Sequence, residues 1–339
     1  MFIRKFGGKV FCRPEAGKRN IWALIIGTAL WTASAPNSTA LAGEPGRSSS
    51  AVESTANTSS APSNSVQTVD LQEVVDEALR ALENSTVRRV LLVFDIDNTV
   101  LTMPQFLGGD RWYNHQAALL AENRNPDFAS FDELFEAQGA LFSVAGMRLT
   151  QPNGASLIAE AEAAGIDVAF LTARGPSFFD ATRRELSRND INFTPVHTCS
   201  AILCDLDGIL EDADIRRALQ AFGAVPDSET YRRVALRGGV MMVAGQDKGE
   251  MLRVLLATLV HTQYDHIVFV DDAEKNIEAV ASNGPPIPTS IFHYTRIDTD
   301  VTPSEIRQAR GEWQTLLASI CTAMRSRLCD SPSAMSSTQ

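Results

Sequence analysis

Six residues in this 339-residue chain have the types and spacing to do chemistry together. Asp95 and Asp97 close the apolar run "VLLVFDID", Thr172 closes "VAFLT", and Asp271 and Asp272 close "IVFVDD". Lys248 opens the stretch "KGEMLRVLLATLVHT" after a Gly-Gln-Asp turn. Four carboxylates gathered in one place repel one another unless a cation joins them. Mg²⁺ suits that role, because it is hard, takes oxygen ligands and tolerates a few carboxylates alongside waters. A bound cation also draws in a phosphate group that bare carboxylates would turn away. The Thr172 hydroxyl and the fixed charge of Lys248 then supply donors for phosphate oxygens. With metal and phosphate in place, one carboxylate can attack phosphorus, as aspartyl-phosphate enzymes do. A second carboxyl, two residues on, can protonate the leaving oxygen and then deprotonate a water, help worth roughly 10²–10⁴ in rate. The spacing of Asp95 and Asp97 puts both on one side of a strand end, with Ile96 turned away.

Such residues meet only if the intervening elements bring the strand ends together. "RRVLLVFDI", "IDVAFLTAR", "HIVFVDD" and "SIFHYTRI" are apolar runs of strand length. Amphipathic stretches alternate with them: "DLQEVVDEALRALENS" opening on Asp70 as N-cap, "GASLIAEAEAAG", "SFFDATRRELSRN", the segment from Lys248, "AEKNIEAVASNG" and "SEIRQARGEWQTLLASICTAM". The alternation predicts an α/β fold, a Rossmann-like parallel sheet with helices on both faces. Right-handed crossovers put all the strand ends on one edge, where ligands bind in open α/β sheets. Two segments break the rhythm. Residues 103–150 form a small insert after the first strand, with a short helix expected near "FDELFEAQ". Residues 195–245 form a second, containing "CSAILCDLDGILEDADIRRALQAFG" and a hairpin in "RRVALRGGVMMVAG". No internal repeat is evident.

The ends carry other signals. Residues 1–20 hold six basic residues against Glu15, the apolar run "IWALIIGTALW" follows, and "STALAG" supplies small residues at Ala40 and Ala42. This pattern predicts a secretory signal peptide over residues 1–42, its apolar run too short for a membrane span of roughly 20 residues. Residues 43–67, rich in Ser, Thr, Ala, Pro and Asn, read as a flexible tether. The catalytic domain is expected over 68–330, with a disordered tail at 331–339. Export places the protein in the periplasm or outside the cell, with no membrane partner once the signal is cut. The formal charge is −11, and removing residues 1–42 leaves 24 basic against 40 acidic residues, a net of −16. An acidic chain has no global attraction for nucleic acid. Cys199, Cys204, Cys321 and Cys329 remain after cleavage, an even number suited to an oxidising compartment, with three possible pairings. The simplest are the two local pairs, 199 with 204 and 321 with 329; free buried thiols are the alternative.

The motifs "DIDNT", "LTAR", a lone Lys248 at a helix start and "FVDD" occur in the order of the four motifs of the haloacid dehalogenase superfamily, which the chain resembles over roughly residues 88–295. The start of the chain, with "FDIDNTVL", looks like the secreted bacterial acid phosphatases of that superfamily. "GQDKGEML…IVFVDDAEKNIEAV" looks more like an uncharacterised bacterial branch. The resemblance implies that Asp95 is the nucleophile and Asp97 the acid/base. It implies that Thr172, Ala173 and Lys248 bind phosphate, and that Asp95, the backbone carbonyl of Asp97 and Asp272 hold Mg²⁺, with Asp271 either a further ligand or the partner of Lys248. It also implies that the insert at 103–150 is a cap or flap that selects substrates. Asn276 stands where the family often has an acid.

Each residue has a plainer alternative. Thr172 can simply bond the backbone at a strand end, and Arg174 can contact phosphate or pair with an acid. Lys248 can be a solvated first-turn residue, although its place against the helix dipole favours a functional reason. Asp205 and Asp207 in "CDLDG" copy the first motif without its following Thr and read as a solvated acidic turn. Trp112 and Tyr113 stack on a base or sugar, or form the insert's own core. The five histidines show no metal-ligand spacing. The expected function is an exported, Mg²⁺-dependent phosphatase acting on small phosphate monoesters. A phosphotransferase or mutase on the same residues, and a non-catalytic binding protein of the same fold, are the rivals.

Overall fold

Val90–Phe94 is buried at every position, as a strand covered on both faces must be. This strand, β2, lies at the centre of the fold. The computed structural model describes residues 65–124, 126–192, 208–259 and 263–324. In chain order the first elements are β1 (Ser65–Thr68), α1 (Leu71–Glu83), β2, β3 (Leu101–Thr102), α2 (Asp110–Ala121), α3 (Phe131–Val144), β4 (Arg148–Leu149), α4 (Gly154–Ala163), β5 (Asp167–Thr172) and α5 (Phe179–Arg188). There follow β6 (Ile209–Leu210), α6 (Asp212–Ala221), β7 (Val234–Arg237), β8 (Val240–Met242), α7 (Lys248–Thr258), β9 (His266–Asp271), α8 (Glu274–Asn283), β10 (Thr289–Tyr294) and α9 (Pro303–Met324). Eight strands form one sheet in the order β1-β10-β9-β2-β5-β8-β7-β6. Pairing is parallel from β1 through β8, and antiparallel where β7 meets β8 and β6.

The sheet divides its apolar residues between two cores by strand alternation. Val90, Leu92 and Phe94 of β2 pack with α1, α4 and α5 on one face. Leu91 and Val93 pack with α6, α7 and α8 on the other. The fold is therefore α/β with a mostly parallel, Rossmann-like sheet flanked by helices. Because β2 has β5 on one side and β9 on the other, strand order reverses around it, and the carboxyl ends of these three strands open into one crevice. Asp70 caps α1 as expected, its side chain accepting the Gln72 N–H at 2.9 Å.

The sheet begins three residues inside the expected tether: β1 pairs in parallel with β10, Ser65 opposite Ile291. The insert at 103–150 is pinched at its base by the antiparallel pair β3 and β4. Its helix α3 runs for 14 residues, longer than expected, from a Ser130 cap that accepts the Glu133 N–H. Helix α2 leaves little signal in the sequence, because "DRWYNHQ" has mostly weak helix formers and Gly109 offers no capping side chain. The described part of 195–245 does not interrupt the sheet. Its hairpin forms as expected, turning at Gly238 and Gly239 with positive φ, and β8 adds to β5 in parallel.

The described residues up to Gln314 form one compact unit holding the whole sheet, and those from Thr315 on belong to a second unit. Cys321, in that second unit, is disulfide-bonded. The expected signal peptide, nearly all of the tether, Cys199, Cys204, Cys329, Asp205, Asp207 and the tail lie outside the described residues. Among those that are described, no helix is long and apolar enough to cross a membrane.

Candidate active site

The ladder of β2 does not stop at Phe94. Asp95 donates its N–H to the Val270 carbonyl at 2.9 Å, which ties the first acid to β9. The chain then turns sharply. Val100 and Leu101 both donate to the Ile96 carbonyl, and Asn98 takes a positive φ of 58°. Ile96 is buried in the core, as its place between the acids predicts, while Asp95 and Asp97 both line a cleft of ≈ 390 Å³ at the strand ends.

Lys248 is the first residue of α7, whose N-terminus Asp247 caps by accepting the Glu250 N–H at 2.8 Å. Its ammonium is buried, 2.5 Å from Asp95 Oδ1 and 2.6 Å from Asp271 Oδ2. A buried charge of this kind is tolerable only when paired, and here two carboxylates pair it. The other oxygen of Asp271 accepts the Ala273 N–H at 2.9 Å and the Asn276 side-chain amide at 2.8 Å. Asn276 thus orients Asp271 rather than supplying a further acid. Asp272 follows at the rim of the cleft, and Asp95, Asp271 and Asp272 each present an oxygen within 4.8 Å of the others.

Thr172 is fully buried, and its hydroxyl accepts the Arg174 N–H at 3.2 Å, the plainer of its two readings. Ala173 is exposed on the cleft. Arg174 pairs with an acid, and that acid is Asp97. Its Nε and Nη2 reach Asp97 Oδ2 and Oδ1, both at 2.8 Å, while Nη1 donates to Thr182 at 2.7 Å. The guanidinium also stacks 4.5 Å from the Phe142 ring centre. Such a planar fork fixes a carboxylate's orientation more rigidly than a lysine can.

Of the insert aromatics, Trp112 packs against Phe128 and Trp313 and belongs to a core, whereas Tyr113 lines the cleft. Asp110 joins the site unannounced. It begins α2, lines the cleft and accepts a 3.3 Å hydrogen bond from Gln138. Nothing in its sequence context marks it, because it is the folding of the insert that turns it inward.

The family model described as "Protein of unknown function (DUF2608)" matches residues 67–324, nearly the whole described sheet and every cleft residue named above. The chain belongs to that family. No curated protein matches it.

The charges in the cleft strain against one another. Burial, partly opposed by Lys248 and reinforced by Asp271 and Asp97, pushes the Asp95 carboxyl up to about 7. Burial and the neighbouring Asp95 and Asp271 raise Asp272 as well. Asp110 is pushed up to about 8 by burial, then by Asp97 and Asp95. Burial works to lower Lys248, but Asp271 and Asp95 outweigh it and hold the ammonium charged. One lysine thus serves three closely spaced acids, and its charge does not balance theirs once all three are ionised. A hard divalent cation fits that deficit and that all-oxygen donor set.

Proposed function

We propose that this protein is a Mg²⁺-dependent phosphatase of the haloacid dehalogenase type, acting on small phosphate monoesters through a phospho-Asp95 intermediate. The observation that carries the reading is the Lys248 ammonium bridging Asp95 and Asp271, with Asp272 completing a carboxylate triad at the strand ends. Asp95, Asp271, Asp272 and the backbone of Asp97 would hold the ion. Bound there, Mg²⁺ would neutralise the acids and the phosphate oxygens.

In this reading a carboxylate oxygen of Asp95 attacks phosphorus and the ester oxygen leaves, taking a proton from Asp97. Asp97 then removes a proton from water, whose oxygen attacks phosphorus. Inorganic phosphate departs and the Asp95 carboxylate is restored. Lys248 keeps the Asp95 oxygen aimed and steadies the phosphate. Thr172 and the backbone at Ala173 bind phosphate oxygens, and Arg174 sets the orientation of Asp97 between turnovers. The insert serves as the cap over the cleft. The basic, then apolar, then small-residue start of the chain supports export to the periplasm or beyond.

The test is phosphate release from a panel of monoesters with and without Mg²⁺, with Asp95→Asn as control. Metal-dependent release that vanishes in the variant is expected. Equal release by the variant would refute the mechanism.

A further inference from the structure

Helix α3 turns an unusual face to the cleft. Phe131, Phe135, Gln138 and Phe142 follow one another at intervals of four, three and four, so they share one side of the helix. Exposure falls along this row, from 49 % at Phe131 to 6 % at Gln138 and Phe142. The row therefore runs from the mouth of the cleft to its floor, about 16 Å at 1.5 Å per residue. The floor end is fixed, because Phe142 stacks on Arg174, which grips Asp97. Phe135 stands about 10 Å back along the axis.

Opposite Phe135 lies Phe178, edge to face at 5.5 Å. Its ring occupies a notch in α3 left by Gly139, where a Cβ would fall 1.8 Å from the ring. Between these rings and the reacting end sits the Gln138–Asp110 pair, which offers acceptors to hydroxyl groups. Phe142 is packed on Arg174 and Phe178, so the ring surface open to the cleft is that of Phe131 and Phe135; Trp112, Phe128 and Trp313 pack together in a separate cluster. Four phenylalanines form an apolar patch in a cleft of ≈ 390 Å³ whose remaining lining is largely charged and polar, so a ring and a charged group can be seated side by side.

We infer that this face binds a flat aromatic ring, and that the substrate is a nucleoside monophosphate with its phosphate at Asp95, its sugar at Asp110 and Gln138, and its base against Phe135 and Phe178. The binding half rests on the cleft alone, and only the placement of the phosphate rests on the function proposed above.

Calorimetric titration of the Asp95→Asn protein with adenosine monophosphate, phenyl phosphate and glycerol phosphate tests it. Stacking on an aromatic side chain is worth enough to give at least ~10-fold tighter binding of adenosine monophosphate than of glycerol phosphate. Phe135→Ala, added to that protein, should erase the difference. Gly139→Ala, which displaces the Phe178 ring without deleting it, should reduce it, with folding checked by circular dichroism. Equal affinity for the three compounds, a preference indifferent to Phe135→Ala, or phenyl phosphate binding best would each overturn the inference. Ring-dependent binding with no phosphate release by the unmutated protein would overturn the phosphatase reading and leave the ring site standing.

Discussion

Lys248 shows how little slack the site has. Its ammonium touches two buried carboxylates, so Lys248→Met leaves both without their cation, and Asp271 with only the neutral donors of Ala273 and Asn276. Breaking a buried pair this way costs about 3–5 kcal/mol, and urea denaturation at neutral pH should register a loss of that size. Arg174→Ala should behave similarly, since it strips Asp97 of both hydrogen bonds and Phe142 of its stacking partner. The acids themselves give a pH signature. The Asp95 carboxyl holds its proton up to about 7 when folded, against an ordinary value of 3.8. Between those values the native state binds more protons than the unfolded chain, so this group's contribution to stability falls as pH rises. Lys248 is also raised, so its contribution is constant below its ordinary value of 10.5 and is lost only above it. A cation that replaces the proton should relieve the acids most where they are ionised. Mg²⁺ should therefore raise the melting temperature more at pH 8 than at pH 5, and less in Asp272→Asn. Saturation at 100 Kd is worth about 2.7 kcal/mol. An identical shift in the variant, or no shift at either pH, would count against a metal site.

At the level of elements, the close approach of α7 and α8 places that lysine. Gly249 follows Lys248, and a Cβ there would lie 2.2 Å from the Ala279 carbonyl oxygen. Alanine is the better helix former by about 1 kcal/mol, so propensity alone favours Gly249→Ala. Contact with a backbone that cannot rotate aside opposes it. We expect overpacking to win, with a net loss of about 1–3 kcal/mol and a fall in activity as α7 shifts. A raised urea midpoint would show that the two helices can separate at little cost. The elements also separate what sequence discloses from what it hides. Strands β2, β5 and β9 were legible because each is a near-continuous apolar run ending in a polar group. Helix α2 was not, since "DRWYNHQ" shows no apolar period and no capping residue. Asp110 was hidden with it, because a residue's role cannot be read when its element is not.

For the whole molecule, the edge of the sheet is the place where sequence and fold part company. Composition marks residues 43–67 as a tether, yet Ser65–Thr68 forms an edge strand on β10. Ser65–Thr68 carries too little apolar surface to fold alone and is held by the row of backbone groups that β10 presents. A chain starting at residue 70 should therefore be less stable than one starting at residue 60, by about 1–3 kcal/mol. Equal melting temperatures would mean that β1 adds nothing. By itself the sequence determined the α/β class, the central strands and five of the residues at their ends, because strand hydrophobicity and the spacing of acids are local properties. Only the tertiary structure decided the partners: Lys248 between Asp95 and Asp271, Arg174 on Asp97, Asn276 on Asp271, and the aromatic face of α3 on the cleft. Those pairings join residues up to 153 positions apart, and whether two distant side chains meet depends on how the helices pack across the sheet, which no local pattern encodes.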